Sequence, residues 1–75
     1  MPFIDIKVIQ GVFTTEEKRE LVERVSEAAI AVEGEALRPY TVTALTETPS
    51  GEWAVGGQTL AADDVKAVRS AAAAV

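Results

Sequence analysis

Cysteine and histidine are both absent from this 75-residue chain. Without cysteine there are no disulfides and no thiolate metal sites. Without histidine the commonest metal ligand and the commonest general base are gone. A Ser-His-Asp triad, a Cys-His pair and an HExxH zinc site are therefore excluded within the chain. Neither GxxxxGK nor GxGxxG occurs, so no familiar phosphate-cradling loop is present. No apolar run approaches the ~20 residues that span a bilayer. Positive charge is scarce, with seven Lys and Arg against twelve Asp and Glu and a formal charge of −5. That balance speaks against nucleic acid and against an anionic membrane surface as partners. Asp5 interrupts the first apolar stretch and no basic leader precedes it, so a secretory signal is not expected and a cytoplasmic location is. No metal and no cofactor are expected. Chemistry is left to carboxylates, lysines, Tyr40, hydroxyls and the N-terminal amine.

A chain of this length makes one domain. Such a domain buries only about 60% of the surface its unfolded form exposes. With disulfides and thiolate metal sites excluded, association between subunits is the remaining way to enlarge the core.

The sequence IDIKVIQ alternates, with Ile4, Ile6 and Val8 on one face and Phe3, Asp5, Lys7 and Ile9 on the other. This predicts a strand that ends at Gly11. Thr14 followed by Glu17 makes a capping box, and Glu16 and Glu17 suit the positive end of a helix dipole. A helix is predicted over roughly 15–32, with Leu21, Val25, Ala28 and Val32 as its apolar stripe and Gly34 as its stop. After the connection EGEALRP, the Thr- and Val-rich YTVTALTE predicts a second strand over about 40–47. Strand, helix, strand is a βαβ unit with parallel strands and a right-handed crossover. Both faces of the second strand are partly apolar, which calls for cover on both sides. One helix covers one face, and the other is expected to meet a second subunit, with ~20 apolar side chains shared across the interface. TPSG marks a turn, and EWAVGGQTL a short hairpin bending at Gly56 and Gly57. DDVKAVRS predicts a short helix capped by Asp63, with Val65 and Val68 inward and Lys66 and Arg69 near its end. The expected class is α/β (α+β): one βαβ domain over 1–69, a short C-terminal hairpin and short helix, then an Ala-rich tail over 70–75 that either frays or continues the helix.

Four residues are candidates for function. Removal of Met1, expected when the second residue is small, turns Pro2 into a free secondary amine at the head of a strand. Burial in an apolar pocket would lower its pKa toward neutrality and make it a base. Trp53, the single tryptophan, stands in a turn-rich segment and is either an interface anchor or a pocket wall. Lys7 on the first strand and Arg38 ahead of the second are possible contacts for an anionic substrate. Arg19 and Arg24 fall on the solvated face of the helix.

The segments PFIDIKVIQG, TTEEKRELVERVSEAA, LTE and WAVGG together resemble, in order and spacing, the 4-oxalocrotonate tautomerase family, the small members of the tautomerase superfamily. The resemblance spans about residues 2–57. It implies that Pro2 is the base that moves a proton between positions of a dienol or enol acid to give the ketone. It implies that Trp53 makes the pocket apolar. It also implies a hexamer, a trimer of dimers with pockets shared between subunits. Two positions depart from the family. Val12 follows Gly11 where the family carries one arginine, and Val42 stands where it carries another. A dicarboxylate would thereby lose bidentate hydrogen bonds worth about 1.5–3 kcal/mol each. The expected substrate is a less charged enol or 2-keto acid, aromatic ones included, with Arg38 or Lys7 as its anion contact. Family dehalogenases and hydratases carry a glutamate where this chain has Val55. A dehalogenase-like or hydratase-like activity with Pro2 as acid, and a non-catalytic oligomer, are the alternatives.

Overall fold

The computed structural model describes residues 2–73. Strand β1 (Phe3–Ile9) leads through Gly11 into helix α1 (Thr15–Glu33). A 3₁₀ helix (Glu35–Tyr40) precedes strand β2 (Val42–Thr48). Strands β3 (Trp53–Val55) and β4 (Gln58–Leu60) form a hairpin, and helix α2 (Ala62–Ala73) follows. β1 and β2 pair in parallel, from Phe3 opposite Val42 to Ile9 opposite Thr48. The predicted βαβ unit, hairpin and C-terminal helix are thus all present.

Local chemistry accounts for each element. Thr14 N–H donates to Glu17 Oε1 at 3.0 Å and Glu17 N–H donates to Thr14 Oγ1 at 3.1 Å, the reciprocal capping box. Gly34, at φ 104°, ends α1 and donates its N–H to the Ile30 carbonyl at 2.8 Å. Gly56 and Gly57 have φ of 59° and 85°, which the two-residue loop of a type I′ hairpin requires at both positions.

The alternation of β1 holds. Ile4, Ile6 and Val8 turn toward α1, while Phe3, Asp5 and Lys7 are exposed on the far face. α1 packs on the first of these faces. Ser26 Oγ lies 2.6 Å from Thr43 Oγ1, and Lys18 Nζ is 2.9 Å from Glu47 Oε1. Ile9, Val12 and Ile30 are the apolar residues fully enclosed among those described, each 6% exposed. On the far face Phe3 is 68% exposed and Val42 49%.

Three expectations need correction. The second strand begins at Val42, not Tyr40, because Thr41 N–H is spent closing the 3₁₀ turn on the Arg38 carbonyl at 3.3 Å. The Thr41 hydroxyl also donates to the Leu37 carbonyl at 2.9 Å, so the ladder opens one residue later, with Val42 N–H on the Pro2 carbonyl at 3.2 Å. The inward stripe of α1 turns away from Ala28 and Val32 in its last two turns. Ala29 and Ile30 face inward there, and Val32 is 91% exposed. Spacings of three and four admit both tracks, and the one centred on Val22, Ser26 and Ile30 covers the sheet. In α2, Val65 faces inward but Val68 is exposed. The helix also continues through Ala73, so Lys66 and Arg69 lie in its body rather than at its end. The Ala-rich segment therefore continues the helix as far as Ala73, and its last two residues lie outside the described residues.

Candidate active site

A cavity of about 200 Å³ opens at the C-terminal end of β1. Lys7, Val8 and Ile9 supply one side, and Val12 and Phe13 of the β1–α1 loop a second. Trp53 and Leu60 come from the hairpin, where they are directly paired and so share a face, and Val65 comes from α2. The lining is apolar except for Lys7. Its ammonium is 2.9 Å from Asp5 Oδ2, and Asp5 Oδ1 accepts from the Thr46 hydroxyl at 3.2 Å. The hydrogen bond from Lys7 is the leading reason that the Asp5 carboxyl is held below its usual range, with the Thr46 hydroxyl and the Lys7 charge acting in the same direction. An apolar chamber with one cation at its rim suits an organic acid with an apolar body and a single carboxylate.

Pro2 lies at the other end of the same strand. It is half-buried, and its carbonyl accepts from Val42. Five residues of extended chain separate it from Lys7, about 17 Å at ~3.3 Å per residue. Arg38 lies at the Pro2 end as well, on the 3₁₀ helix that leads into β2. Of the four candidates, then, the structure brings Lys7 and Trp53 into one cavity, and leaves Pro2 and Arg38 at the opposite end of the sheet.

Arg38 is heavily committed. It donates to Glu27 through Nη1 and Nη2 at 2.8 and 3.0 Å, and to Glu35 through Nε and Nη2 at 2.8 and 2.9 Å. A guanidinium has five N–H groups, so one remains. These bonds, Glu35 first and then Glu27, hold its pKa above the ordinary value, and Arg38 in turn holds both carboxyls below theirs. The cluster ties the 3₁₀ helix to α1. The two positions matched to family arginines are apolar here in different ways: Val12 is enclosed and lines the Trp53 cavity, while Val42 is half-exposed beside Pro2.

Two residues that the sequence did not single out for this site stand out. Phe13 lines the cavity, and the Arg69 guanidinium lies over its ring, 4.8 Å from the centroid. Arg69 Nη1 also donates to the Val12 carbonyl at 3.2 Å, and Nη2 to Glu17 Oε2 at 2.7 Å. The Arg69 hydrogen bond, followed by that of the Thr14 backbone, lowers the Glu17 carboxyl to about 2. The legible signal was the spacing of Ala62, Val65 and Arg69, which puts all three on one face of a helix. A second depression of about 250 Å³, lined by Phe13, Glu17, Glu20, Leu21 and Arg24, runs along the start of α1. Its Arg24 is paired with Glu20 at 2.6 Å. Although larger, it is lined by two carboxylates beside its one cation, where the Trp53 cavity has Lys7 as its single charged lining residue. Among the described residues no three acidic side chains converge as a metal site, and no helix is long and apolar enough to cross a membrane.

The tautomerase enzyme family matches residues 2–63 of the chain. Solved structures similar to it include two crystal structures. DmpI from Helicobacter pylori is 31% identical, with a TM-score of 0.65 over 77% of this chain and 94% of that one. YwhB, described as a homologue of 4-oxalocrotonate tautomerase, is 31% identical, with a TM-score of 0.63 over 84% of this chain and 97% of that one. No curated protein matches the chain.

Proposed function

The chain belongs to the tautomerase enzyme family, and on that premise we propose that it is an isomerase that interconverts the enol and keto forms of a small 2-keto acid, with Pro2 as general base. Met1 must be removed for this role, because only then does Pro2 carry a free secondary amine. The nitrogen takes the proton from the enol hydroxyl. The O–H electron pair becomes the carbonyl π bond, and the former alkene carbon takes a proton back from the prolinium. The base ends as it began, and no oxidant or cofactor enters.

The observation that carries the proposal is the division of the site. Pro2 heads β1, while the apolar cavity with Trp53 and Lys7 lies at the far end of the same strand, about 17 Å away. A base and a chamber so far apart in one chain serve one substrate only when different subunits supply them. The open far face of the sheet, with Phe3 and Val42 uncovered, supports such an assembly. We therefore read the working form as a homohexamer, a trimer of dimers, in the cytoplasm. In it Pro2 of one subunit meets the Trp53 cavity of another, and Lys7 takes the carboxylate. Arg38, with four N–H groups engaged by Glu27 and Glu35, is left a supporting part in anion binding.

The test is Pro2→Ala in the Met-processed protein, checked by intact mass and assayed on phenylenolpyruvate. Because the Ala variant still carries a primary amine, the same assay is run on protein that retains Met1, whose Pro2 nitrogen is an amide, and there a fall in kcat/KM of about 100-fold or more is expected. Retained full activity would sink the assignment. The apolar residues at positions 12 and 42 favour a second reading, a non-catalytic oligomer. A processed hexamer without turnover on a broad panel of enol acids would establish it. Halide release from a halogenated acrylate, without turnover of simple enols, would point instead to the dehalogenase branch, which Val55 at the hairpin does not favour.

A further inference from the structure

Arg69 takes no part in the proposed mechanism, yet two of its three contacts, to Val12 and Phe13, are with one wall of the cavity. α2 presents Ala62, Val65 and Arg69 along a single face. Ala62 abuts the β1–α1 loop so closely that a side chain at Gly11 would lie 3.4 Å from its Cβ. Val65 is part of the cavity lining. One turn further on, Arg69 grips Val12 through its carbonyl and Phe13 through its ring, and both of those residues line the cavity too. Arg69 itself is not in the lining. It pairs with Glu17 outside that lining, so it does not meet a substrate anion directly.

We propose that Arg69 is a positioning residue that sets the width of the Trp53 cavity, and through it the bulk of the organic acid admitted. By pinning α2 to Val12 and Phe13, the guanidinium fixes the separation between those two residues and Val65. Pulling the clamp out frees α2 to swing, and the chamber widens while its apolar character and Lys7 are unchanged. The substrate class that follows is a monocarboxylate with one compact apolar or single-ring body. The inference rests on the Trp53 cavity being the chamber of the proposed isomerase, but not on Pro2 being the base.

The single tryptophan makes the test direct. Quenching of Trp53 fluorescence would be titrated with two unreactive acids, 3-phenylpropanoate and the bulkier 3-(2-naphthyl)propanoate, on the full assembly. Wild type is expected to bind the phenyl acid more tightly. Arg69→Met, which keeps the apolar stem but loses the cation, should shift the ratio of dissociation constants about fivefold toward the naphthyl acid, the factor expected for losing one ordinary cation–π contact. Arg69→Lys should recover part of the shift. Glu17→Gln keeps a residue compatible with the capping box while loosening the Arg69 pair, and should move the ratio in the same direction. It also decides the matter if Arg69→Met fails to fold. A residue that only staples the helix would lower stability and leave the ratio where it was. An unchanged ratio in folded variants, or a wild-type Trp53 that responds to neither acid, would overturn the proposal. Persistent activity in the protein that retains Met1 would instead remove the base assignment and leave these ratios standing.

Discussion

On the proposed isomerase reading, replacing Val42 with arginine should raise the use of dicarboxylates relative to monocarboxylates. Val42 opens β2, opposite Phe3 and next to Pro2, whose carbonyl accepts its N–H at 3.2 Å. It is 49% exposed within the single chain, and in the proposed assembly the substrate carboxylate pairs a guanidinium placed there, so it is not left as a buried, unpaired charge. Its apolar stem can lie along the sheet beside Phe3 while the head reaches outward. A bidentate arginine–carboxylate contact contributes about 1.5–3 kcal/mol. At about 1.36 kcal/mol per factor of ten, that is about 10- to 150-fold in kcat/KM. The desolvation that both charges undergo on pairing argues for the lower end, about tenfold. The assay compares kcat/KM for 2-hydroxymuconate, a dicarboxylate, with that for phenylenolpyruvate, a monocarboxylate, in the same preparation. A ratio cancels differences in Met1 processing, folding and assembly. The expected result is a rise in the dicarboxylate-to-monocarboxylate ratio of about tenfold. An unchanged ratio in a folded Val42→Arg protein of wild-type assembly size would refute the claim that the missing guanidinium limits dicarboxylate use.

Gly11→Ala should destabilise the chain by about 1–2 kcal/mol, because a side chain is imposed at positive φ, and the drop should be read from urea unfolding. Gly11 sits at φ 92° and its added Cβ would also press on Ala62, so combining it with Ala62→Gly should relieve the contact and leave the backbone penalty. Acid should loosen α2. The Glu17 carboxyl falls from 4.5 to about 2 on folding, so the clamp contributes fully above about pH 4.5 and is lost as pH falls toward 2. A red shift of Trp53 emission across that window, absent in Arg69→Met, is the expected signature, and no change is expected between pH 6 and 8.

The elements and their order were legible because their signals are local. β-Branched alternation made β1, the Thr14–Glu17 box started α1, and Gly34 ended it, all through contacts within a few residues. Gly56 and Gly57 fixed the hairpin by the same kind of short-range constraint. Misjudged boundaries lay where neighbours compete. Thr41 carries strand propensity, yet its N–H closes the 3₁₀ turn, so the strand waits for Val42. The stripe on α1 was ambiguous because two tracks share one helical period, and only the sheet beneath selects the track through Ile30.

The candidate site divides along the same line. The sequence alone determined which chemistry was available: no histidine, no cysteine, one proline behind Met1, one tryptophan and few cations. Only the tertiary structure decided how those groups are used. Lys7 meets Trp53 because parallel pairing carries both to the same end of the sheet, while Pro2 is left at the other. Arg38 looked available in the chain, but Glu27 of α1 and Glu35 of its own 3₁₀ helix now hold it. Arg69 looked like a helix-end charge, and docking of α2 put it over Phe13 and against Glu17, 52 residues away. Composition sets which charges exist, but whether a charge is free depends on what long-range packing brings within 3 Å of it.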